Sequence, residues 1–359
     1  MEAVGMSAFN DFRGKRVLVT GHTGFKGGWL SIWLHQLGAD LAGVALDPED
    51  PRGVFAATGI GDRMRDHRMD IRDADALYAL FAEERPEVVF HMAARPLVLE
   101  SYRTPVEAFA VNTLGTVHVL EAVRRTPSVR ALVCVTSDKC YENVERHRGY
   151  AEEDPLGGHD PYSASKGAAE IAIAAYRRSF FHAPGAPGVA SARAGNVIGG
   201  GDRAADRLVP DLVRAFEHAM PLHVRRPDSV RPWQHVLEPL HGYLTLAQGL
   251  LRDPVRFGGA WNFGPQEHEA RTVRELADAL GRHFGSVVWV DASSPDQPHE
   301  AGLLRLDIGK AERELGWRPR LSFAETVSLT AEWYQREQDG EAMALCQHQI
   351  DTYLRHGDR

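Results

Sequence analysis

Tyr162-Ser163-Ala164-Ser165-Lys166 sets a phenol and an ammonium group four residues apart at the start of a helical pattern. On a helix that spacing puts both side chains on one face. A cation beside a phenol favours the phenolate and lowers its pKa. Such a tyrosine can take a proton from a substrate hydroxyl while the carbon that bears it is oxidised. Ser137, 25 residues earlier at the end of an apolar run, offers a second hydroxyl to the same oxygen. Asp138-Lys139 follow it directly. A bare Tyr–Lys pair occurs by chance in many chains, so its meaning depends on what precedes it.

What precedes it is Gly21-His22-Thr23-Gly24-Phe25-Lys26-Gly27, a G-x-x-G-x-x-G loop between a strand pattern and a helix pattern. Glycines there let the backbone approach a pyrophosphate, which sits on the helix N-terminus. Asp47 ends the next strand, 20 residues past Gly27. A carboxylate at that place accepts both ribose hydroxyls and repels a 2′-phosphate, which favours NAD over NADP. Pro48-Glu49-Asp50 adds negative charge, whereas Lys26 is a counter-signal that could pair with a phosphate. Asp70-Ile71, after a third strand, could hold an adenine; Asp70 reads equally well as a turn former.

These side chains need a scaffold, and the apolar periodicity supplies one. Strands are expected at Arg16–Thr20, Asp40–Leu46, a run ending over Asp66–Asp70, Glu87–His91, Ala131–Thr136 and Val189–Arg193. Between them come an amphipathic helix to about Leu37, a helix capped by Asp73, and a long helix over Tyr162–Phe181. Thr104-Pro105-Val106-Glu107 reads as a capping box opening a helix to about Arg125. Strands alternating with helices imply βαβ units. The fold class expected is therefore α/β, a Rossmann-type doubly wound parallel sheet. After Gly195 the pattern loosens into a smaller mixed α/β C-terminal lobe, with capping boxes at Thr272–Glu275 and Ser322–Glu325 and a short strand Val287–Val290. The division expected is a dinucleotide-binding domain over 12–195, with 231–264 returning to it, and a substrate lobe over 196–230 and 265–345.

Composition narrows the field. The chain has 359 residues, 43% hydrophobic and 25% charged, which excludes collagen-like, disordered and coiled-coil readings. Lys plus Arg number 41 and Asp plus Glu 49, a net charge of -8 that gives no footprint for wrapping nucleic acid. No apolar run approaches the ~18 residues of a membrane span, so no membrane partner is expected. Met1 to Phe12 includes Glu2, Asn10 and Asp11 and does not read as a signal peptide. Cys134, Cys140 and Cys346 form an odd, sparse set that points to a reducing, cytoplasmic setting. No basic pattern surrounds Cys140, so a catalytic thiol there is the minor reading. His218 and His223 read as surface or structural, and no Cys/His set has zinc spacing, so no metal is expected.

With this frame in place, the sequence resembles the extended short-chain dehydrogenase/reductases, and within them the nucleotide-sugar 4,6-dehydratases. The general pattern is carried by GHTGFKG, FHMAA (Phe90 to Ala94), Asn112 in VNTLGT, YSASK and DIGKAERELGWRP (Asp307 to Pro319). The specific pattern is carried by VTSDKCYEN (Val135 to Asn143), RAGNVIGGGD (Arg193 to Asp202), DRLVPD (Asp206 to Asp211) and RPWQHVLEPL (Arg231 to Leu240). The resemblance runs from about Gly14 to about Glu332.

It implies NAD as cofactor, held by Gly21, Thr23, Gly24, Phe25, Lys26 and Gly27, by Asp47, Asp70 and Ile71, and by Ala93, Ala94, Tyr162 and Lys166. The substrate implied is CDP-glucose or a closely related nucleotide sugar. The chemistry implied is oxidation at C4, loss of water across C5 and C6, and return of the hydrogen to C6. Ser137, Tyr162 and Lys166 would serve the oxidation. Asp138 would protonate the leaving C6 hydroxyl, and Lys139 would take the C5 proton or stabilise the enolate. Asn196, Arg207 and Arg231 would hold the substrate pyrophosphate, with His235 a polar contact or a structural histidine. The chain departs from the family pattern at Arg95, Leu99, Arg148 and Arg203. A homodimer is expected through the Thr104–Arg125 and Tyr162–Phe181 helices, which carry apolar residues on more than one face. Two alternatives stay open: a nucleotide-sugar 4-epimerase, which needs no eliminating pair, and a non-catalytic NAD-sensing regulator.

Overall fold

Seven short runs pair side by side into one parallel sheet: β1 Arg16–Thr20, β2 Asp40–Ala45, β3 Arg65–Arg68, β4 Val88–His91, β5 Ala131–Val135, β6 Gly188–Ala194 and β7 Gly259–Phe263. Their order across the sheet is β7-β6-β5-β4-β1-β2-β3. The computed structural model describes residues 9–285, 288–294, 302–337 and 340–356. Four of the central strands, β1, β4, β5 and β6, are buried almost throughout, as parallel strands covered on both faces must be. The chain runs outward from β1 to β3, then starts again at β4 on the other side of β1. Such a reversal leaves a crevice at the carboxyl ends of the two strands, where ligands of open α/β sheets bind. Val19 pairs with Phe90 across it, which puts the loops after β1 and β4 side by side.

β3, RDHR, is a polar edge strand without the apolar alternation that sequence reading depends on, and it ends two residues before Asp70. Asp70 instead forms a turn, accepting from the Arg72 backbone N–H at 2.9 Å. β2 likewise stops at Ala45, one residue short of expectation. The Phe25–Gln36 helix overturns the amphipathic expectation: every residue from Gly27 to Leu34 is buried. One side meets the sheet, and the other is covered by the Ala342–His356 helix, where Trp33 meets Tyr353 edge-on at 5.9 Å.

Caps divide in the same way. Asp73 accepts from the Ala76 N–H, and the Thr272–Glu275 and Ser322–Glu325 boxes both close. The Thr104–Glu107 box does not form, because the Thr104 hydroxyl bonds back to the Glu100 carbonyl at 3.2 Å and Glu107 is drawn to Arg95 at 2.8 Å. The helix it opens runs Pro105–Phe109, widens to a π-helical turn over Ala110–Leu114, and continues over Gly115–Arg125. π-Turns of this kind are frequent at functional sites. Here the turn carries Asn112, whose amide accepts from the Arg95 N–H at 2.8 Å and donates to Ser165 Oγ at 2.9 Å.

Beyond β6 the chain crosses the carboxyl edge of the sheet. Three small strand pairs form there: Val197–Ile198 with Gln234–His235, Leu222–Val224 with Trp289–Asp291, and Val230–Arg231 with Arg271–Thr272. The expected Val287–Val290 strand is thus shifted to Trp289–Asp291, and Val287 lies outside the described residues, as do Met1 to Ala8. The Leu237–Arg252 helix then returns beneath the sheet to contact β5, β6 and β7.

Glu238, near the start of that helix, is buried and accepts from the Arg320 and Leu321 N–H groups at 2.7 Å each and from the Tyr353 hydroxyl at 2.7 Å. Burial pushes its pKa from 4.5 up to about 7, against the pull of these donors. The folded protein therefore holds a proton that the unfolded chain gives up. Its contribution to stability is full below about pH 4.5 and is lost as pH rises to about 7. The span corresponds to about 3 kcal/mol. Glu238→Gln keeps the two backbone bonds without the charge. Between pH 5 and pH 8 the melting temperature of the native protein should fall relative to that of the variant, and parallel pH profiles would contradict this.

Candidate active site

Two clefts lie end to end along the carboxyl edge. The first, of about 450 Å³, is lined by the glycine loop, Asp47, Asp70 and Ile71, and the Ala93-Ala94 segment. The second, of about 320 Å³, is lined by Ser137, Asp138, Lys139, Tyr162, Asn196 and Arg231, among others. Phe25, Lys26 and Arg207 line both and mark the junction.

The glycine loop is shaped by close backbone approach. Gly21 has φ +74, and a Cβ on it would lie 2.7 Å from Ala93 Cα. A Cβ on Gly27 would lie 2.1 Å from the Gly21 carbonyl oxygen. A side chain at either position would push the β1 loop off the β4 loop or unseat the helix start. Gly24 is the residue before the first helical turn, so the backbone N–H groups after it open on the first cleft. Thr23 Oγ donates to the Leu46 carbonyl at 3.0 Å and ties the loop to the end of β2. Asp47 stands at the far end, 90% exposed and 3.8 Å from Arg68. The Asp70 carboxyl is held below its usual range, first by the hydrogen bonds from Arg72. Ile71 is a buried apolar wall. The donor set fits a dinucleotide: helix-end N–H groups for a pyrophosphate, an exposed carboxylate for a ribose and an apolar wall for a base. Arg95, one of the departures from the family pattern, sits at the mouth beside Glu107 and 3.6 Å from Glu49. Arg203, another, lines the same cleft and is buried against Glu337 and Glu217.

Lys26 reaches inward from the loop. Burial lowers its pKa to about 7, Lys166 and Arg207 push the same way, and Asp138 opposes them. Asp138–Cys140 form a single 3-10 turn after β5, with Ser137 as its cap. Ser137 Oγ accepts from the Lys139 N–H at 3.2 Å and donates to Asp138 Oδ1 at 3.0 Å. Asp138 is 2% exposed, and its Oδ2 is a buried atom with no hydrogen-bond partner among the described residues. That oxygen fills the space left by Gly195, where a Cβ would lie 1.8 Å from it.

Tyr162 and Lys166 enter from the Pro161–Phe180 helix, which Asp160 caps by accepting from the Ser163 N–H. Both are buried. Burial raises the Tyr162 phenol to about 12, while a hydrogen bond with Ser137 draws it down. The lysine does not produce the depressed phenol expected from spacing. Its own pKa is lowered by burial to about 8, against the attraction of Glu170, and its Nζ donates to the Val135 carbonyl at 3.4 Å.

Beneath this group lies a network that spacing alone did not reveal. Glu170 accepts from Thr136 Oγ at 2.5 Å, Ser191 Oγ at 2.8 Å and Arg193 at 2.7 Å. Arg193 also donates to the Tyr141 hydroxyl at 2.7 Å, which donates to Asn262 Oδ1 at 2.7 Å. The available signal was a glutamate one helical turn after Lys166 and an arginine inside an apolar strand.

Of the expected substrate contacts, Asn196 lines the second cleft in a left-handed conformation, φ 43. Arg207 bridges to Asp202 at 2.8 Å, and Arg231 donates to the Gly302 carbonyl at 3.2 Å. Of the two readings of His235, the structure favours the structural histidine over the polar contact. It lines neither cleft, lies fully buried against Trp29, and burial lowers its pKa to about 3. His223, read as surface or structural, lines the second cleft with Arg225 and Arg226, which sequence reasoning missed. Cys140 is a buried free thiol pushed well above its ordinary pKa by burial, which removes it as a nucleophile.

A family model described as GDP-mannose 4,6 dehydratase matches residues 18–330. The chain is 47% identical over 350 residues to CDP-glucose 4,6-dehydratase of Salmonella typhimurium, covering 96% of this chain and 98% of the relative. It is 31% identical over 331 residues to a dTDP-glucose 4,6-dehydratase of Streptomyces antibioticus, covering 89% and 92%. Among solved structures, an epimerase of Methanothermobacter thermautotrophicus superposes with a TM-score of 0.80 at 25% identity, covering 93% and 96%. A dTDP-glucose 4,6-dehydratase of Streptomyces venezuelae solved with NAD superposes with a TM-score of 0.76 at 26% identity, covering 90% and 98%. The chain belongs to the GDP-mannose 4,6-dehydratase family of extended short-chain dehydrogenase/reductases.

Proposed function

We propose that the protein is an NAD-dependent CDP-glucose 4,6-dehydratase, forming CDP-4-keto-6-deoxyglucose for deoxysugar biosynthesis. The observation that carries this reading is the Ser137–Lys139 turn, whose Asp138 and Lys139 line the second cleft together with Tyr162. A 4-epimerase has no use for that pair, and a cofactor sensor has no use for Tyr162, Lys166 and the pair together. The identity with a curated CDP-glucose 4,6-dehydratase over nearly both full lengths supports the same choice.

In this reading NAD, when bound, supplies the acceptor for the C4 hydrogen and its later donor to C6. The helix-end N–H groups after Gly24 hold its pyrophosphate, and Asp47 its ribose hydroxyls. Tyr162 accepts the C4 hydroxyl proton, and Lys166 holds positive charge behind it. The resulting ketone acidifies C5. Lys139 takes the C5 proton or stabilises the enolate, and Asp138 protonates the departing C6 hydroxyl. Asn196, Arg207 and Arg231 bind the substrate diphosphate, for which the planar guanidinium fork is suited. Residues 12–195 with 231–264 serve the cofactor, and 196–230 with 265–345 the nucleotide sugar. Three buried free thiols support a cytoplasmic location. The paired Pro105–Arg125 and Pro161–Phe180 helices leave Val106 81% exposed and Ile171 61% exposed, with Leu114 also exposed. An apolar surface of this kind supports a homodimer through these helices.

Incubation with CDP-glucose should yield the 4-keto-6-deoxy product, and its absence would overturn the assignment. Tyr162→Phe should abolish the transient reduced-cofactor absorbance, with a loss of ~10²- to 10⁴-fold in rate. Lys139→Met should keep that absorbance and slow solvent deuterium exchange at C5. If it loses the absorbance while still binding substrate, Lys139 belongs to the oxidation step. NAD should bind more tightly than NADP in a titration, and Asp47→Ala should narrow the gap. Light scattering at micromolar concentration should give a dimer mass, and Ile171→Glu should shift it towards the monomer.

A further inference from the structure

Asp202 lines both clefts, as Arg207 does, and it is 4% exposed. Its Oδ2 accepts from Arg207 Nη1 at 2.8 Å, and its Oδ1 accepts from the Ala204 N–H at 3.2 Å. Both carboxylate oxygens are thus engaged within one short loop. A carboxylate on the wall of a site for diphosphates works against its ligands unless it fixes a cation there.

The loop is folded to make that contact. Gly201 at φ 76 and Asp206 at φ 62 both take the left-handed conformation, which is uncommon for a residue with a side chain. Asp206 turns the chain so that the next residue, Arg207, meets Asp202. Contacts from three sides hold the arch. The Val54 N–H, beside the first cleft, donates to the Gly201 carbonyl at 3.1 Å. The Tyr334 hydroxyl donates to the Asp202 carbonyl at 2.7 Å, and Arg225 pairs with Asp206 at 2.9 Å.

A guanidinium has five N–H donors. Asp202 takes one, and no other hydrogen bond of the Arg207 side chain forms among the described residues. The remaining donors stand at the junction of the clefts. The Arg207 charge is felt on both sides: behind the larger effect of burial, it lowers the pKa of Lys26 in the glycine loop and of Tyr162 in the second cleft.

We propose that Asp202 is a positioning residue: it fixes the Arg207 guanidinium on the wall common to both clefts, where the remaining donors serve the cofactor pyrophosphate as well as the substrate diphosphate. A long side chain loses rotamer freedom when a ligand orders it, and Asp202 imposes that order beforehand. The pairing also cancels charge, which weakens the pull on any anion. These two effects oppose each other, and only positioning makes Asp202 favour binding.

This inference rests on the dehydratase reading for its second ligand. Dissociation constants for NAD and, separately, for CDP are measured by titration of the native protein, Asp202→Ser, Arg207→Ala and the double variant at one ionic strength. A serine hydroxyl keeps the turn to the Ala204 N–H but is too short to hold Arg207. Asp202→Ser should weaken both ligands ~2- to 10-fold although it removes a negative charge. Arg207→Ala should weaken both ~10- to 100-fold. In the Arg207→Ala background the effect of Asp202 should change sign. The carboxylate there has lost its cation and repels both ligands, so the double variant should bind each more tightly than Arg207→Ala alone. Weaker binding on losing Asp202 in both backgrounds overturns the proposal, because Asp202 then acts on the fold and not through Arg207. Tighter binding in both overturns it as well, because Asp202 is then only an opposing charge. An effect confined to CDP overturns the sharing of Arg207 with the cofactor. If the native protein binds NAD but neither CDP nor CDP-glucose, the dehydratase reading fails, whereas the positioning role of Asp202 fails on the NAD titrations if their sign does not change.

Discussion

A buried carboxylate–guanidinium pair, Glu170 with Arg193, fixes the floor of the active site. Two charges removed from water repay their desolvation only where geometry and further hydrogen bonds are good. Thr136 and Ser191 complete the carboxylate, and the Tyr141 hydroxyl and the Glu152 carbonyl accept from the guanidinium, whose buried Nε alone has no partner among the described residues. The elements joined are the Pro161–Phe180 helix, the end of β5, β6 and the chain leaving the 3-10 turn. Thr136 immediately precedes Ser137, and Tyr141 follows Cys140. The turn bearing Ser137, Asp138 and Lys139 is therefore clamped at both ends to the strand beside it, while Glu170 sits one helical turn from Lys166 and stabilises its charge. Removing either member would leave an unpaired buried charge, at a cost of about 3–5 kcal/mol.

Above that floor, the two clefts meet at Lys26, Arg207 and the Asp202 that pairs with Arg207. Lys26 and Arg207 line both, and Lys166 lies close enough to depress Lys26. A junction between a dinucleotide and a nucleotide sugar brings two diphosphates into one cleft system. In the proposed function, cations shared between them would offset the mutual repulsion of these anions. The net charge of -8 is compatible with this, because the field at a concave, low-dielectric site is set by its own walls rather than by net charge.

Much of this was legible in the sequence. The β1 run, the glycine loop between strand and helix, and the Tyr162–Lys166 spacing on one helix are placed as expected because each is local: a periodicity, a turn chemistry, a spacing. Apart from the polar edge strand β3, the misplacements are cases where a distant partner decides. Thr104 has the residues of a capping box, but Glu107 is claimed by Arg95, which sequence separation hides. The Phe25–Gln36 helix was expected to have a wet face, yet the C-terminal helix covers it. His235 reads equally as a polar contact or a structural histidine, and only the packing of Trp29 decides for the core. Arg225 and Arg226 look like surface charge until the short strand Leu222–Val224 pairs with Trp289–Asp291 and turns them into a cleft wall. Phenol acidity is the same kind of failure, since spacing reports the neighbouring lysine and not the depth of burial.

The long reach of the sheet also governs when the protein can be completed on the ribosome. β6 ends at Ala194, but the strand that covers its outer edge begins only at Gly259, and the helix that buries Trp33 begins only at Ala342. During synthesis an open strand edge and the tryptophan-rich face of the Phe25–Gln36 helix wait, uncovered, for segments not yet translated. Partners so far apart in sequence close slowly, and unpaired edges invite association with other chains. A nascent chain stalled before Gly259 would carry both liabilities at once, and one stalled between Phe263 and Ala342 would carry only the second. The C-terminal helix, far from the chemistry, thus sets the moment at which the first βα unit stops being a hazard to its neighbours.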